Sequence, residues 1–95
     1  MYGLKDSLIE EMIALARKYD LDSMTLFGSR ARGDYRPRSD IDLAVSGGDY
    51  ARFVLDMDEE TSTLLMFDIV NLDKPVQPEL LESIRKDGKL LYAKV

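Results

Sequence analysis

The sequence contains no cysteine and no histidine. Without cysteine, disulfides, zinc-thiolate sites and thiol nucleophiles are all excluded. Because histidine is missing too, any metal site must be built from oxygen ligands, which favours magnesium or manganese over zinc. General-base chemistry would likewise depend on a carboxylate or on the substrate itself.

Long hydrophobic runs are also missing. No apolar stretch approaches the roughly 20 residues that a membrane span requires, and the start of the chain, Met1 to Asp6, has no signal-peptide pattern. The sequence therefore predicts no membrane association and a cytoplasmic location. With 95 residues we expect one domain, residues 1–95, with a single core and no second lobe to hold a large acceptor.

The chain is acidic overall but contains a locally basic segment. The net charge of −5 argues against stable binding along a long nucleic acid. Residues 28 to 38 nevertheless carry a local charge of +3, which leaves −8 on the rest of the chain. The charged residues of that segment are Arg30, Arg32, Arg36 and Arg38, with Asp34. Such a spot suits a compact polyphosphate better than a duplex.

Hydrophobic periodicity predicts alternating helices and strands. The predicted helices are Leu8–Tyr19, with Asp6 or Ser7 as N-cap, then Ser29–Arg32, Asp49–Thr61 and Pro78–Lys86. The predicted strands are Ser23–Phe27, Asp40–Val45, Leu64–Val70 and Lys89–Ala93. The order α-β-α-β-α-β-α-β indicates an α/β fold in which helices pack on a small mixed β-sheet. The third strand is the most apolar, so we expect it to be central.

Two carboxylates stand at the start of the second predicted strand. Since side chains alternate along a strand, Asp40 and Asp42 should share one face while Ile41 and Leu43 point into the core. Adjacent carboxylates repel each other unless a cation lies between them, and a divalent metal supplies that compensation. A lone Asp-x-Asp pair, however, more often simply begins an exposed strand.

A third carboxylate strengthens the case for a metal. Asp68 is the only charged residue in the apolar run Leu64–Val70. An unpaired carboxylate on a central strand would cost several kcal/mol, a cost that a metal shared with Asp40 and Asp42 would remove. The alternative is an ion pair with a buried arginine, Arg30 or Arg32.

Gly28 and Ser29 stand where the first strand turns into a helix. Glycine permits a close backbone approach, so N–H groups of such a turn and the serine hydroxyl could meet phosphate oxygens. Alone, a Gly-Ser turn is common and says little. Its significance comes from the ten residues that separate Ser29 from Asp40.

Together these segments resemble a known family signature. Gly28-Ser29-Arg30-Ala31-Arg32-Gly33 followed by Ser39-Asp40-Ile41-Asp42-Leu43 is similar to the motif of the nucleotidyltransferase superfamily that includes DNA polymerase beta. The short length resembles the minimal nucleotidyltransferases, bacterial and archaeal proteins often paired with a HEPN-domain toxin. The resemblance implies the nucleotidyltransferase fold and a metal-dependent transferase that uses ATP.

The resemblance also implies residue roles. Gly28 and Ser29 would grip the triphosphate, Asp40 and Asp42 would bind two Mg²⁺ ions, with Mn²⁺ as the other candidate, and Asp68 would complete the catalytic metal site. For these carboxylates to meet, the first two strands should run antiparallel and Asp68 should lie on an adjacent strand.

The arginines are the expected helpers at the phosphates. Arg30 and Arg32 are closest to the turn, so we expect them to bind nucleotide and offset developing charge. Arg36 and Arg38 are either solvated surface charges or face the acceptor or a toxin partner.

Three functions fit this pattern. The leading one, implied by the resemblance, is an antitoxin that transfers AMP from ATP to a tyrosine of a HEPN-type toxin. The alternative is an antitoxin that neutralises its toxin by binding, with little or no catalysis, although all three carboxylates are present. Transfer to an antibiotic or to RNA is weaker, because relatives with those substrates carry extra domains.

Overall fold

Helices and strands alternate in the computed structural model, which describes residues 1–95. The helices are α1 (Asp6–Lys18), α2 (Gly28–Arg32), α3 (Tyr50–Glu60) and α4 (Pro78–Asp87). The strands are β1 (Ser23–Phe27), β2 (Ile41–Ser46), β3 (Phe67–Asn71) and β4 (Lys89–Ala93). The predicted order is confirmed, and β1 and β4 have the predicted bounds. None of the helices combines the length and apolar character needed to cross a membrane.

The strands form one mixed sheet in the order β3-β2-β1-β4. β1 runs antiparallel to both β2 and β4, while β2 and β3 are parallel. The antiparallel pairing of β1 with β2, predicted from the motif, is therefore confirmed. It places Phe27, the last residue of β1, opposite Asp42 near the start of β2. The residue that follows Phe27 is Gly28, so the turn after β1 lies beside the carboxylate.

Buried side chains divide between the two faces of the sheet. The larger core lies under α1 and α3 and includes the fully buried Met12, Leu26, Leu43, Phe53 and Met57. A smaller cluster on the other face joins α4 to the sheet through Phe27, Ala44 and Ile84. Because neighbours along a strand alternate faces, Asp42 shares the side of Ala44, while Ile41 and Leu43 are fully buried as predicted.

The predicted position of the third strand is wrong. β3 is an edge strand rather than a central one, and it begins at Phe67, three residues later than predicted. Leu64 and Met66, which precede it, are exposed. Phe67 and Ile69 pack against the larger core from the edge, and Asp68 is exposed. The carboxylate therefore incurs no large desolvation cost, and the energetic argument for a buried Asp68 does not hold.

Three helix starts differ in detail from the prediction, and that of α2 is earlier by one residue, at Gly28. Neither Asp6 nor Ser7 caps α1, because the helix begins at Asp6 and Lys5 takes the cap position without a side-chain bond. In α3 the carboxylate of Asp49 does cap the helix, accepting from the backbone N–H of Arg52 at 3.2 Å. That cap fixes where α3 leaves the end of β2.

Candidate active site

The turn between β1 and α2 is built around Gly28. Its φ is +74°, a conformation that residues with side chains rarely adopt. A Cβ at this position would lie 2.2 Å from Oδ2 of Asp42 and 3.0 Å from its Cγ. Glycine is thus required both for the backbone conformation and for the close approach of the turn to the carboxylate. Gly28 and Ser29, predicted to hold phosphate, lie directly beside a predicted metal ligand.

Asp42 and Asp68 are direct neighbours across the parallel strands β2 and β3. Adjacent strands lie about 4.8 Å apart, so the two carboxylates emerge side by side on one face of the sheet. Asp40, exposed just before β2, also acts on Asp42 electrostatically. The prediction that Asp68 approaches from an adjacent strand is confirmed.

The pKa of Asp42 is raised by its surroundings. Burial raises the pKa of its carboxyl above the ordinary value, and the negative charges of Asp68 and then Asp40 raise it further. Arg32 and Arg30 lower the pKa but offset only part of the effect. The site consequently holds negative charge that the protein itself does not neutralise.

The donor set suits a hard divalent cation. The acidic side chains of Asp40, Asp42 and Asp68 are carboxylates, the ligands that magnesium and manganese prefer. In the structure the three aspartates do not converge into a ready-made group of three metal ligands. Asp40 and Asp68 are exposed, whereas Asp42 is half-buried against the Gly28 turn. Asp42 is therefore the fixed member, and its two partners are free to adjust.

Arg30 binds backbone carbonyls of the protein, whereas the sequence predicted that it faces the nucleotide site. Its side chain is 1% exposed, and its guanidinium donates five hydrogen bonds to four backbone carbonyls, those of Tyr2, Gly3, Pro37 and Ser39, at 2.9 to 3.4 Å. The guanidinium also lies 5.0 Å from the centre of the Tyr35 ring. All its donors are used within the protein, so Arg30 is not available to a nucleotide phosphate in this arrangement.

Instead, Arg30 ties the turn to the metal-ligand segment. The carbonyl of Ser39 accepts two of its bonds and belongs to the peptide unit that ends at Asp40. The Ser39 hydroxyl in turn accepts from the backbone N–H of Arg36 at 2.8 Å and closes the loop before β2. Arg30 thus sets the position of Asp40 relative to α2 and the Gly28 turn.

Arg32 remains at the mouth of the site. Its guanidinium pairs with Asp34 at 3.3 Å and with Asp87 of α4 at 3.4 Å, and its side chain is 42% exposed. Of the two arginines predicted to bind nucleotide, Arg32 is therefore the one with accessible donors. The sequence did not predict that Asp87 contacts Arg32, because the two residues are 55 positions apart and no motif links them.

Tyr50 was also missed as a neighbour of the site. The hydroxyl of this α3 residue donates to the carbonyl of Ile69 at 2.6 Å. Burial raises the Tyr50 pKa, and the charge of Asp68 raises it further. Tyr50 has helical spacing with Phe53 and Met57, which is typical of a core residue. Its hydrogen bond to β3 shows that Tyr50 also holds the strand that carries Asp68.

Comparison with known proteins identifies the family. The sequence model described as "Polymerase beta, Nucleotidyltransferase" matches residues 10–95. The chain therefore belongs to the polymerase beta-type nucleotidyltransferase family, as the motif in residues 28–43 indicated. Members of this family transfer nucleotidyl groups.

Several individual proteins of known name or structure are similar to this chain. A Methanocaldococcus jannaschii protein with the provisional name protein adenylyltransferase MJ0604 is 30% identical over 93% of this chain and 98% of its own length. A crystal structure of a toxin-antitoxin with AMP-PNP matches with a TM-score of 0.67 and 25% identity, over 90% of this chain and 73% of that one. A structure described as a minimal nucleotidyltransferase matches with a TM-score of 0.67 and 26% identity, over 87% and 88%. The predicted nucleotidyltransferase fold is confirmed.

Proposed function

We propose that this protein transfers AMP from ATP to a hydroxyl group of a partner protein and acts as the antitoxin of a toxin-antitoxin pair. The observation that carries the proposal is the side-by-side placement of Asp42 and Asp68, in contact with the Gly28 turn. The relative named for protein adenylylation and the similar toxin-antitoxin structure with AMP-PNP support it. The acceptor we propose is a tyrosine of a HEPN-type toxin.

The residues that would hold the metal are Asp40, Asp42 and Asp68. Two Mg²⁺ ions, or Mn²⁺ in their place, would supply charge compensation for the triphosphate, the attacking hydroxyl and the leaving pyrophosphate. Besides burial, the negative charges of Asp68 and Asp40 raise the pKa of Asp42, and a bound cation would offset those charges, which supports this role. Binding the metal would hold Asp42 in its ionised form at neutral pH.

Phosphate binding falls to the turn and to Arg32. The close approach that Gly28 permits lets the triphosphate lie against Asp42 without an intervening side chain. Ser29 lies in the first turn of α2 and can direct its hydroxyl to the same phosphates. Arg32, with its exposed guanidinium, would exchange its contacts with Asp34 and Asp87 for phosphate oxygens.

The chemical step is a displacement at the α-phosphorus of ATP. The acceptor oxygen forms a bond to that phosphorus while the bond to the oxygen bridging to the β-phosphate breaks, and pyrophosphate leaves. Asp68 is exposed and adjacent to Asp42, so its carboxylate is placed to take the proton of the incoming hydroxyl. The half-buried Asp42 holds its place against Gly28 throughout.

The direct test uses ATP labelled in the α-phosphate, magnesium and the product of the neighbouring gene as the candidate toxin. Wild type should label the toxin, and Asp40→Asn and Asp68→Asn should reduce labelling by at least about a hundredfold. The control is Asp20→Asn, which changes a carboxylate paired with Lys94 outside the site. Equal labelling by wild type and both site variants would contradict the proposed metal ligands.

The binding-only alternative has one observation in its favour. Leu64 and Met66 are 102% and 70% exposed, which is unusual for such residues and typical of a contact surface. If the site variants bind and silence the toxin as well as wild type does, neutralisation depends on contact, and the catalytic proposal fails as the biological role.

A further inference from the structure

The most prominent apolar surface lies directly before β3. We call Leu64, Leu65 and Met66 the apolar ridge; Leu65 is half-buried, and its two neighbours are largely exposed. Grooves of about 440, 410 and 290 Å³ border the ridge on three sides. Covering one such side chain is worth roughly 1.5 to 3 kcal/mol, so an uncovered ridge is a strong site for a partner.

The ridge continues into the candidate active site. The carbonyl of Met66 accepts from the N–H of Ile41 at 2.9 Å, so the pairing of β2 with β3 extends to this residue. Because side chains alternate along the strand, Met66 lies on the same face as Asp68, two residues further on. An acceptor that covered the ridge would therefore reach the carboxylates.

One border of the ridge is positively charged. The 410 Å³ groove is lined by the ridge and by Arg38, which stands two residues before Asp40. Within the arginine-rich segment Arg32 makes the ion pairs, whereas Arg36 and Arg38 are exposed and form none. Arg38 therefore offers an unpaired positive charge at the border of the ridge, which a carboxylate of a docked molecule would complement.

We propose that the apolar ridge and Arg38 dock the acceptor protein through an apolar segment flanked by carboxylates, next to the hydroxyl that receives AMP. This rests on the proposed function and adds which surface selects the acceptor. The occupant is an acidic, apolar polypeptide: a symmetric second copy would bring two arginine-rich borders together, and a nucleic acid would gain little from apolar side chains.

The test measures transfer of labelled AMP to two synthetic peptides. Both contain a central tyrosine flanked by leucines, and they differ only in outer residues that are glutamate in one and lysine in the other. Wild type should label the glutamate peptide about fivefold more efficiently, the scale of one exposed ion pair. Arg38→Glu should reverse the preference, a result that loss of folding cannot mimic.

A second variant tests the apolar part. Leu64→Ser combined with Met66→Ser should lower labelling of the glutamate peptide at least about tenfold through a higher KM, with unchanged affinity for ATP and magnesium. The matched control is Leu90→Ser, since Leu90 of β4 is 63% exposed on the opposite edge of the sheet. It should label the peptide as wild type does.

The outcomes separate this inference from the function on which it rests. If wild type binds no ATP in the presence of magnesium, that result contradicts the proposed function and, with it, the docking surface. A wild type that labels the partner protein but neither peptide, or labels both peptides equally in all variants, overturns the docking surface alone. A dimer that dissociates when the ridge is changed to serine assigns the ridge to a second copy and also overturns it.

Discussion

The backbone of Gly28 and the carboxylate of Asp42 touch so closely that residue 28 has no room for a Cβ. The contact joins the turn after β1, where phosphate would bind, to the strand that carries Asp42, the proposed metal ligand. It exists because β1 and β2 are antiparallel and pair Phe27 with Asp42. The phosphate and metal parts of the site are consequently one structural unit.

Substitution of Gly28 should therefore lower the free energy of unfolding by more than backbone strain alone would. Gly28→Ala and Gly33→Ala both force a side chain into positive φ, at roughly 1 to 2 kcal/mol each. Only Gly28→Ala also displaces Asp42, because a Cβ on Gly33 would meet nothing within 4 Å. We expect Gly28→Ala to lose about 1 to 3 kcal/mol more in urea unfolding. We also expect it alone to lose affinity for ATP with magnesium. Equal losses in the two variants would rule out the contact as a functional element.

The stability of the metal-free protein should depend on the charge of Asp42. Its folded-state pKa is raised above the value of 3.8, so the folded protein holds this proton more tightly than the unfolded chain does. Stability linked to Asp42 therefore falls as pH rises from 3.8 through the folded pKa, and at pH 7 the charged group is unfavourable. Asp42→Asn should raise Tm at pH 7 and change it less below pH 3.8. Calorimetry at both pH values checks this, and a lower Tm for Asp42→Asn at pH 7 would contradict it.

Arg30 should behave as a positioning residue. Arg30→Met leaves four carbonyls without their donor and should cost about 3 kcal/mol in urea unfolding. Arg32→Met, which removes exposed ion pairs, should cost less than about 1 kcal/mol. The milder Arg30→Lys should keep the fold yet weaken Mn²⁺ binding, measured by the Mn²⁺ resonance signal, because the Ser39–Asp40 peptide loses its clamp. Unchanged Mn²⁺ affinity in a folded Arg30→Lys protein would limit Arg30 to a structural role.

Magnesium with ATP should stabilise the protein through the same carboxylates. At about a hundred times the dissociation constant, a ligand specific for the folded state adds about 2.7 kcal/mol, a clear rise in Tm. The rise should disappear on addition of EDTA and be much smaller in Asp68→Asn. Asp20→Asn, with its carboxylate outside the site, should respond as wild type does. A rise that survives EDTA would show that metal is not needed for nucleotide binding.

Local pattern was enough to predict the order of elements and the pairing of the motif strands. Alternation predicted that Ile41 and Leu43 are buried and that Asp42 faces away from them, because strand geometry leaves no other arrangement. Apolar content did not tell an edge strand from a central one. Phe67 and Ile69 can pack on the core from the edge, which leaves Asp68 in water.

The role of Arg30 could not be predicted for a different reason. Its partners are backbone carbonyls, among them those of Tyr2 and Ser39, and any residue types at those positions would offer the same acceptors. The pairing of Arg32 with Asp87 depends on how α4 packs beside α2, which no spacing in the motif reveals. Only the folded chain distinguishes the arginine that braces the site from the one that faces it.

Nucleotidyl transfer moves the α-phosphate of ATP to the acceptor, so the most direct test is which phosphate of ATP labels the toxin. Wild type, magnesium and the proposed HEPN-type toxin partner are incubated with ATP labelled in either the α- or the γ-phosphate. We expect label on the toxin from α-labelled ATP alone, with release of pyrophosphate, and none with Asp42→Asn. Label from γ-labelled ATP, or equal labelling with Asp42→Asn, would contradict this expectation.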